Sequence, residues 1–264
     1  MPRRKRRSKP CIKETISTKI ASSAFGWSSK NWSGYAITKP SGSITSISGV
    51  WTVPRVSSSK SSTYSSVWIG IDGFDNSSLI QTGTEQDYVD GQAQYYAWWE
   101  ILPDAETKIP YPVAPGDRMK GAISRIATGL WRISLTNRTR NWTYTTKQAY
   151  DGPQSSAEWI MEAPSVNGQI AKLANYSSAV INHARINGKN PRLVSTNGGY
   201  MVQGGKQVST PSVPDSERDG FRVRYGSTLP VPPHSGMIRR NAKRRPPSPL
   251  MATSCRAKKI ARKR

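Results

Sequence analysis

Histidine and cysteine are scarce in this chain, with two of each among 264 residues. His183 and His234 stand far apart, so neither a histidine-centred metal site nor a Ser-His-Asp arrangement has the residues it needs. Cys11 and Cys255 lie near the two ends, which leaves no disulfide framework to hold a small core together. Long apolar runs are missing too. None approaches the ~18 residues that span a membrane. The start, Met1-Pro2-Arg3-Arg4-Lys5-Arg6-Arg7, is basic but is not followed by the apolar stretch of a secretory leader. The sequence as it stands reads as soluble and unexported, unless its true start lies further upstream.

Acidic residues are rare at both ends. Residues 1–26 carry eight Lys/Arg against one acid, and residues 227–264 carry eleven and none. The body, 27–226, has twenty basic and fifteen acidic residues, so most of the formal net charge of +23 belongs to the tails. From Pro230 onward the Pro/Arg/Lys-rich segment has too little apolar surface to fold alone. Both tails are therefore expected to be disordered. Such tails suit non-specific contact with nucleic acid or another polyanion, and serve equally as address signals or solvated ends. They lack interleaved aromatics, so base stacking has no support.

Helical periodicity is also nearly absent; the one weak helix candidate is Ile170–Leu173. Period-2 alternation takes its place. Trp131, Ile133 and Leu135 alternate with Arg132, Ser134 and Thr136, and Phe221, Val223 and Tyr225 alternate with Arg222 and Arg224. Turn signals such as Asp90-Gly91, Pro115-Gly116-Asp117, Asn167-Gly168 and Asn187-Gly188 punctuate these runs. Many short strands with regular punctuation predict an all-β antiparallel sandwich or barrel. Its core is expected to include Trp51, Trp131, Trp142 and Trp159.

Two islands place a polar side chain in an otherwise buried-looking strand. One is Leu79-Ile80-Gln81-Thr82-Gly83; the other, 77 residues beyond Gln81, is Ala157-Glu158-Trp159-Ile160-Met161. A polar group costs a few kcal/mol in such a place unless it is hydrogen-bonded. Alternation puts Trp68, Gly70 and Asp72 on one face of their strand, and Tyr96, Trp98 and Glu100 on one face of theirs. If these strands neighbour one another, Trp68, Asp72, Gln81, Trp98, Glu100 and Glu158 line one groove. Pairing order does not follow from the sequence.

These stretches, in this order, resemble the eqolisins, the glutamic peptidases of the G1 or A4 family. Asn31-Trp32-Ser33-Gly34-Tyr35 is similar to the family's opening strand, and Gly49-Val50-Trp51-Thr52-Val53-Pro54 to its next segment. Val67-Trp68-Ile69-Gly70-Ile71-Asp72-Gly73 and Leu79-Ile80-Gln81-Thr82-Gly83 follow. Then come Tyr96-Ala97-Trp98-Trp99-Glu100-Ile101-Leu102-Pro103, Pro115-Gly116-Asp117, Ala157-Glu158-Trp159-Ile160-Met161-Glu162 and Phe221-Arg222-Val223-Arg224-Tyr225. The resemblance covers residues 28–226 and leaves both tails unmatched.

The resemblance implies two large antiparallel sheets packed as a lectin-like sandwich, with the catalytic pair in a groove on the concave face. It implies that Glu158 is the general base and Gln81 the residue that holds water and donates to the oxyanion. Trp68, Asp72, Trp98 and Glu100 take supporting or substrate-contact roles. The implied enzyme is a monomeric endopeptidase acting on polypeptides, with neither metal nor cofactor. An ordinary glutamate titrates near ~4.3, so this chemistry favours an acidic working pH. The chain departs from fungal members in lacking their cysteine between Asp72 and Gln81 and in carrying Glu85 where they carry aspartate. It also shows no leader or propeptide, although fungal relatives are secreted as precursors. The competing reading is a non-catalytic sandwich that binds carbohydrate or a polyanion, which needs neither Gln81 nor Glu158 in particular.

Overall fold

The structure, a computed structural model, describes residues 24–234. Residues 1–23 and 235–264, with Cys11, Cys255 and most of both basic tails, lie outside the described residues, as do the expectations made for them. The first strands are β1 (Trp27–Ser29), β2 (Trp32–Thr38), β3 (Ser46–Thr52), β4 (Ser66–Ile71), β5 (Ile80–Val89) and β6 (Gln92–Ile101). The next are β7 (Thr107–Ile109), β8 (Arg118–Ala127), β9 (Leu130–Asn137), β10 (Trp142–Ala149) and β11 (Ser156–Glu162). The last are β12 (Ser165–Val166), β13 (Gln169–Ile170), β14 (Ala179–Ile186), β15 (Gly198–Gln203), β16 (Lys206–Pro211) and β17 (Phe221–Tyr225). Among the described residues the only helical element is a single 3-10 turn at Ser195–Asn197.

Fifteen strands join in the order β10-β9-β8-β3-β14-β17-β16-β15-β2-β11-β4-β5-β6-β7, with β1 beside β15. All these pairings are antiparallel except β1 with β15. Hairpin chemistry fixes the registers locally. Asp90 and Gly91 both take positive φ (52° and 79°) between β5 and β6, the geometry whose twist suits a two-residue hairpin.

The long sheet folds back on itself, so β4 and β5 pack across a core against β3, β8 and β9. Period-2 alternation supplies that core. Val67, Ile69 and Ile71 of β4 and Ala157, Trp159 and Met161 of β11 face Trp51, Ile123, Trp131, Ile133 and Leu135. Each such buried side chain is worth about 1.5–3 kcal/mol relative to exposure. The buried indoles also bond across the layers: Trp51 Nε1 donates to Thr84 Oγ1 at 3.0 Å and Trp159 Nε1 to the Ser48 carbonyl at 3.0 Å. Trp142 is only half-buried at the sheet edge, packing on the core while its Nε1 donates to the Pro112 carbonyl.

The helix expected at Ile170–Leu173 does not form. Asn167 and Gly168, with φ of 55° and 78°, turn the chain instead, and Ile170 pairs with Ser165 in a small hairpin of β12 and β13. Four residues cannot offset the cost of starting a helix, and the Asn-Gly turn decides the matter.

Candidate active site

The strand order places β11, β4, β5 and β6 side by side, and the registers align their polar residues. Glu158 lies opposite Gly70, Gly70 opposite Gln81, and Gln81 opposite Glu100. Residues directly opposite in a sheet project from the same face. This row therefore carries Glu158, Gln81 and Glu100 on the face turned away from the core, with a glycine in the one position between the first two.

Gly70 keeps that interval clear. A Cβ there would meet Leu79 Cδ1 at 2.9 Å and the Trp68 ring at 2.9 Å. Glu158 and Gln81 stand two strand spacings apart, roughly 10 Å between backbones, and their side chains face the interval from either side. The adjoining row makes the apolar wall. Ile160, Trp68 and Trp98 lie in register around Gly83, and with Trp32 and Leu79 they form a second apolar cluster separate from the main core. Gly83 is required by close approach: a Cβ there would sit 2.4 Å from the Val67 carbonyl and 2.5 Å from Trp68 Cβ. Trp68 is held upright by its Nε1, which donates to Glu162 Oε2 at 2.7 Å.

The amide of Gln81 is oriented by its neighbour, with Nε2 donating to Glu100 Oε2 at 2.5 Å. An amide nitrogen carries two N–H groups, so one is committed to Glu100 and the second is left to act. Gln81 Oε1 and both carboxyl oxygens of Glu158 are buried and make no hydrogen bond within the protein. Buried polar atoms are rarely left this way, and each such case asks for an explanation in function or bound solvent.

Glu158 and Gln81 have 0 % exposed surface, so the groove is closed over both. Burial is the main cause that raises the Glu158 pKa well above the ordinary glutamate value of 4.5; the Asp72 and Asp75 carboxylates add to it and the Ser156 hydroxyl opposes it.

Asp72 occupies a different position from the rest. It follows the last residue of β4 with φ of 71°, a left-handed conformation that aspartate tolerates better than most residues. Its carboxylate turns to the segment leading into β11. Oδ2 accepts from the Tyr150 hydroxyl at 2.6 Å and the Gln154 amide at 2.8 Å; Oδ1 accepts from the Ser155 amide at 2.9 Å and its hydroxyl at 3.2 Å. Asp72 therefore anchors the entry to β11 and reaches Glu158 through charge. Tyr150, whose hydroxyl pKa is raised by burial and by Asp72, belongs to this anchor and was not singled out in the sequence. Neither was the spacer Gly70. The signal for Gly70 was its place on the Trp68 face, readable only once the strand's neighbours are known.

The fold and a match to a protein-family model define the class of protein: a peptidase built on a β-sandwich. The chain belongs to the peptidase A4 family, whose model matches residues 30–224. Aspergillopepsin-2 of Aspergillus niger is 29 % identical over 217 residues, 73 % of this chain and 72 % of that protein. Among solved structures, scytalido-glutamic peptidase with a transition state analog inhibitor is similar at a TM-score of 0.63 and 20 % identity. That likeness covers 74 % of this chain and 98 % of the other. Aspergilloglutamic peptidase from Aspergillus niger is similar at a TM-score of 0.51 and 24 % identity, covering 62 % and 99 %.

Proposed function

We propose that the chain cleaves polypeptides through Glu158 and Gln81, working on one water molecule. The observation that carries this reading is the row itself, in which a carboxylate and an amide flank a glycine on one face and leave three buried oxygen atoms without protein partners. The ionised Glu158 carboxylate takes a proton from water as the water oxygen attacks the scissile carbonyl. The Gln81 N–H not held by Glu100 donates to the oxyanion. Glu158 then returns the proton to the leaving amine as the C–N bond breaks. General acid–base assistance of this kind contributes about 10²–10⁴-fold, and a single oxyanion donor about 10²–10³-fold.

Substrate must enter a groove that is closed over the pair, so cleavage requires opening. Opening readmits solvent and removes part of the burial that raises Glu158, bringing its carboxyl back toward the acid range in the working state. Degradation of an unfolded protein is therefore expected at pH below about 5. Gln81→Ala is expected to slow it by about 10²-fold or more. A folded sample that cleaves nothing between acidic and neutral pH sinks the reading, as does a Gln81→Ala variant as fast as the parent.

A further inference from the structure

The concave face continues beyond the rows already described, in a part the hydrolytic step does not use. Next along the strands after the apolar row of Ile160, Trp68 and Trp98 comes a row in which Glu162 of β11 and Glu85 of β5 flank Ser66 of β4. Successive rows are two residues apart, so this acidic row lies roughly 13 Å from the catalytic one. That distance is spanned by about four residues of extended polypeptide. Both glutamates are buried, and the Trp68 indole fixes Glu162 beside the apolar wall. Carboxylates taken out of water favour a cationic partner that shares their hydrogen bonds. The same face is marked independently as a ligand site by the buried oxygens of Glu158 and Gln81 Oε1, which have no protein partner.

We infer that this groove selects polypeptides with a lysine or arginine three or four residues from the scissile bond and an apolar side chain between, the cation seated between Glu85 and Glu162. The inference rests on the peptidase reading of the site and names its substrate class.

Peptides that share one cleavable bond, with a single lysine moved stepwise away from it on either side and glutamine as the neutral control, test it directly. The full-length chain is expected to show kcat/KM about tenfold higher for lysine at one such position. That advantage is expected to disappear in Glu85→Gln. The ratio of lysine to glutamine peptide is compared within each variant, so partial unfolding affects both peptides alike. The same peptides titrated against Glu158→Gln by tryptophan fluorescence are expected to show the same tenfold preference in Kd. Cleavage indifferent to lysine, or a preference that survives in the Glu85→Gln Glu162→Gln double variant, overturns the inference and leaves the peptidase reading standing. Absence of cleavage with the binding preference intact overturns the peptidase reading and supports the selection of basic segments. Equal binding of both peptides overturns the inference whatever the cleavage result.

Discussion

Glu158 carries a thermodynamic cost that can be measured without substrate. Its carboxyl is fully buried with no hydrogen-bond partner in the protein, and burial raises its pKa well above 4.5. A raised carboxyl binds its proton more tightly folded than unfolded, so its burial costs nothing while both states are protonated. The cost grows as pH rises above the unfolded value toward the folded one. Glu158→Gln keeps the shape and removes the ionisation. This variant is expected to melt at a higher temperature than the parent at pH 7, with the difference vanishing below about pH 4. Equal melting temperatures at both pH values would show that Glu158 is better solvated than the structure indicates. The identities of Glu158 and Gln81 were legible because each interrupts an apolar strand; the orienting bond from Gln81 to Glu100 was not, because it depends on register across two strands.

At the level of elements, the site is made by pairing. The order β11-β4-β5-β6 brings together residues up to 77 positions apart, and alternation predicted which side chains share each strand's face without revealing which strands are neighbours. Asp72 shows where alternation stops working. Extrapolated from Trp68 and Gly70 it belongs in the groove, but β4 ends at Ile71 and the chain turns with positive φ, so the carboxylate meets Tyr150, Gln154 and Ser155 instead. Asp72→Ala would leave those buried donors unanswered, and a loss on the order of 3 kcal/mol is expected by urea denaturation. A loss under about 0.5 kcal/mol would show that the segment before β11 stands without this anchor. The short hairpin of β12 and β13 makes a related point: a turn-forming Asn-Gly pair outweighs four residues of weak helical pattern.

Across the whole molecule, two apolar clusters divide the labour. The larger fills the interior of the folded sheet and holds the sandwich; the smaller, around Trp32, Trp68, Trp98 and Ile160, lies on the groove face beside the polar row. Composition and punctuation disclosed the sandwich, and the ordered motifs disclosed the family. The closure over Glu158 and Gln81 was not legible, because exposure depends on everything that packs around the groove. The account comes down to Glu158 acting on water in a site that recognises its substrate with or without it. Measuring kcat/KM and Kd for one defined peptide at pH 4, with the parent chain and Glu158→Gln, tests this most directly. The account predicts similar Kd values and kcat/KM lower by about 10²-fold or more in the variant; a variant that cleaves within twofold of the parent contradicts it.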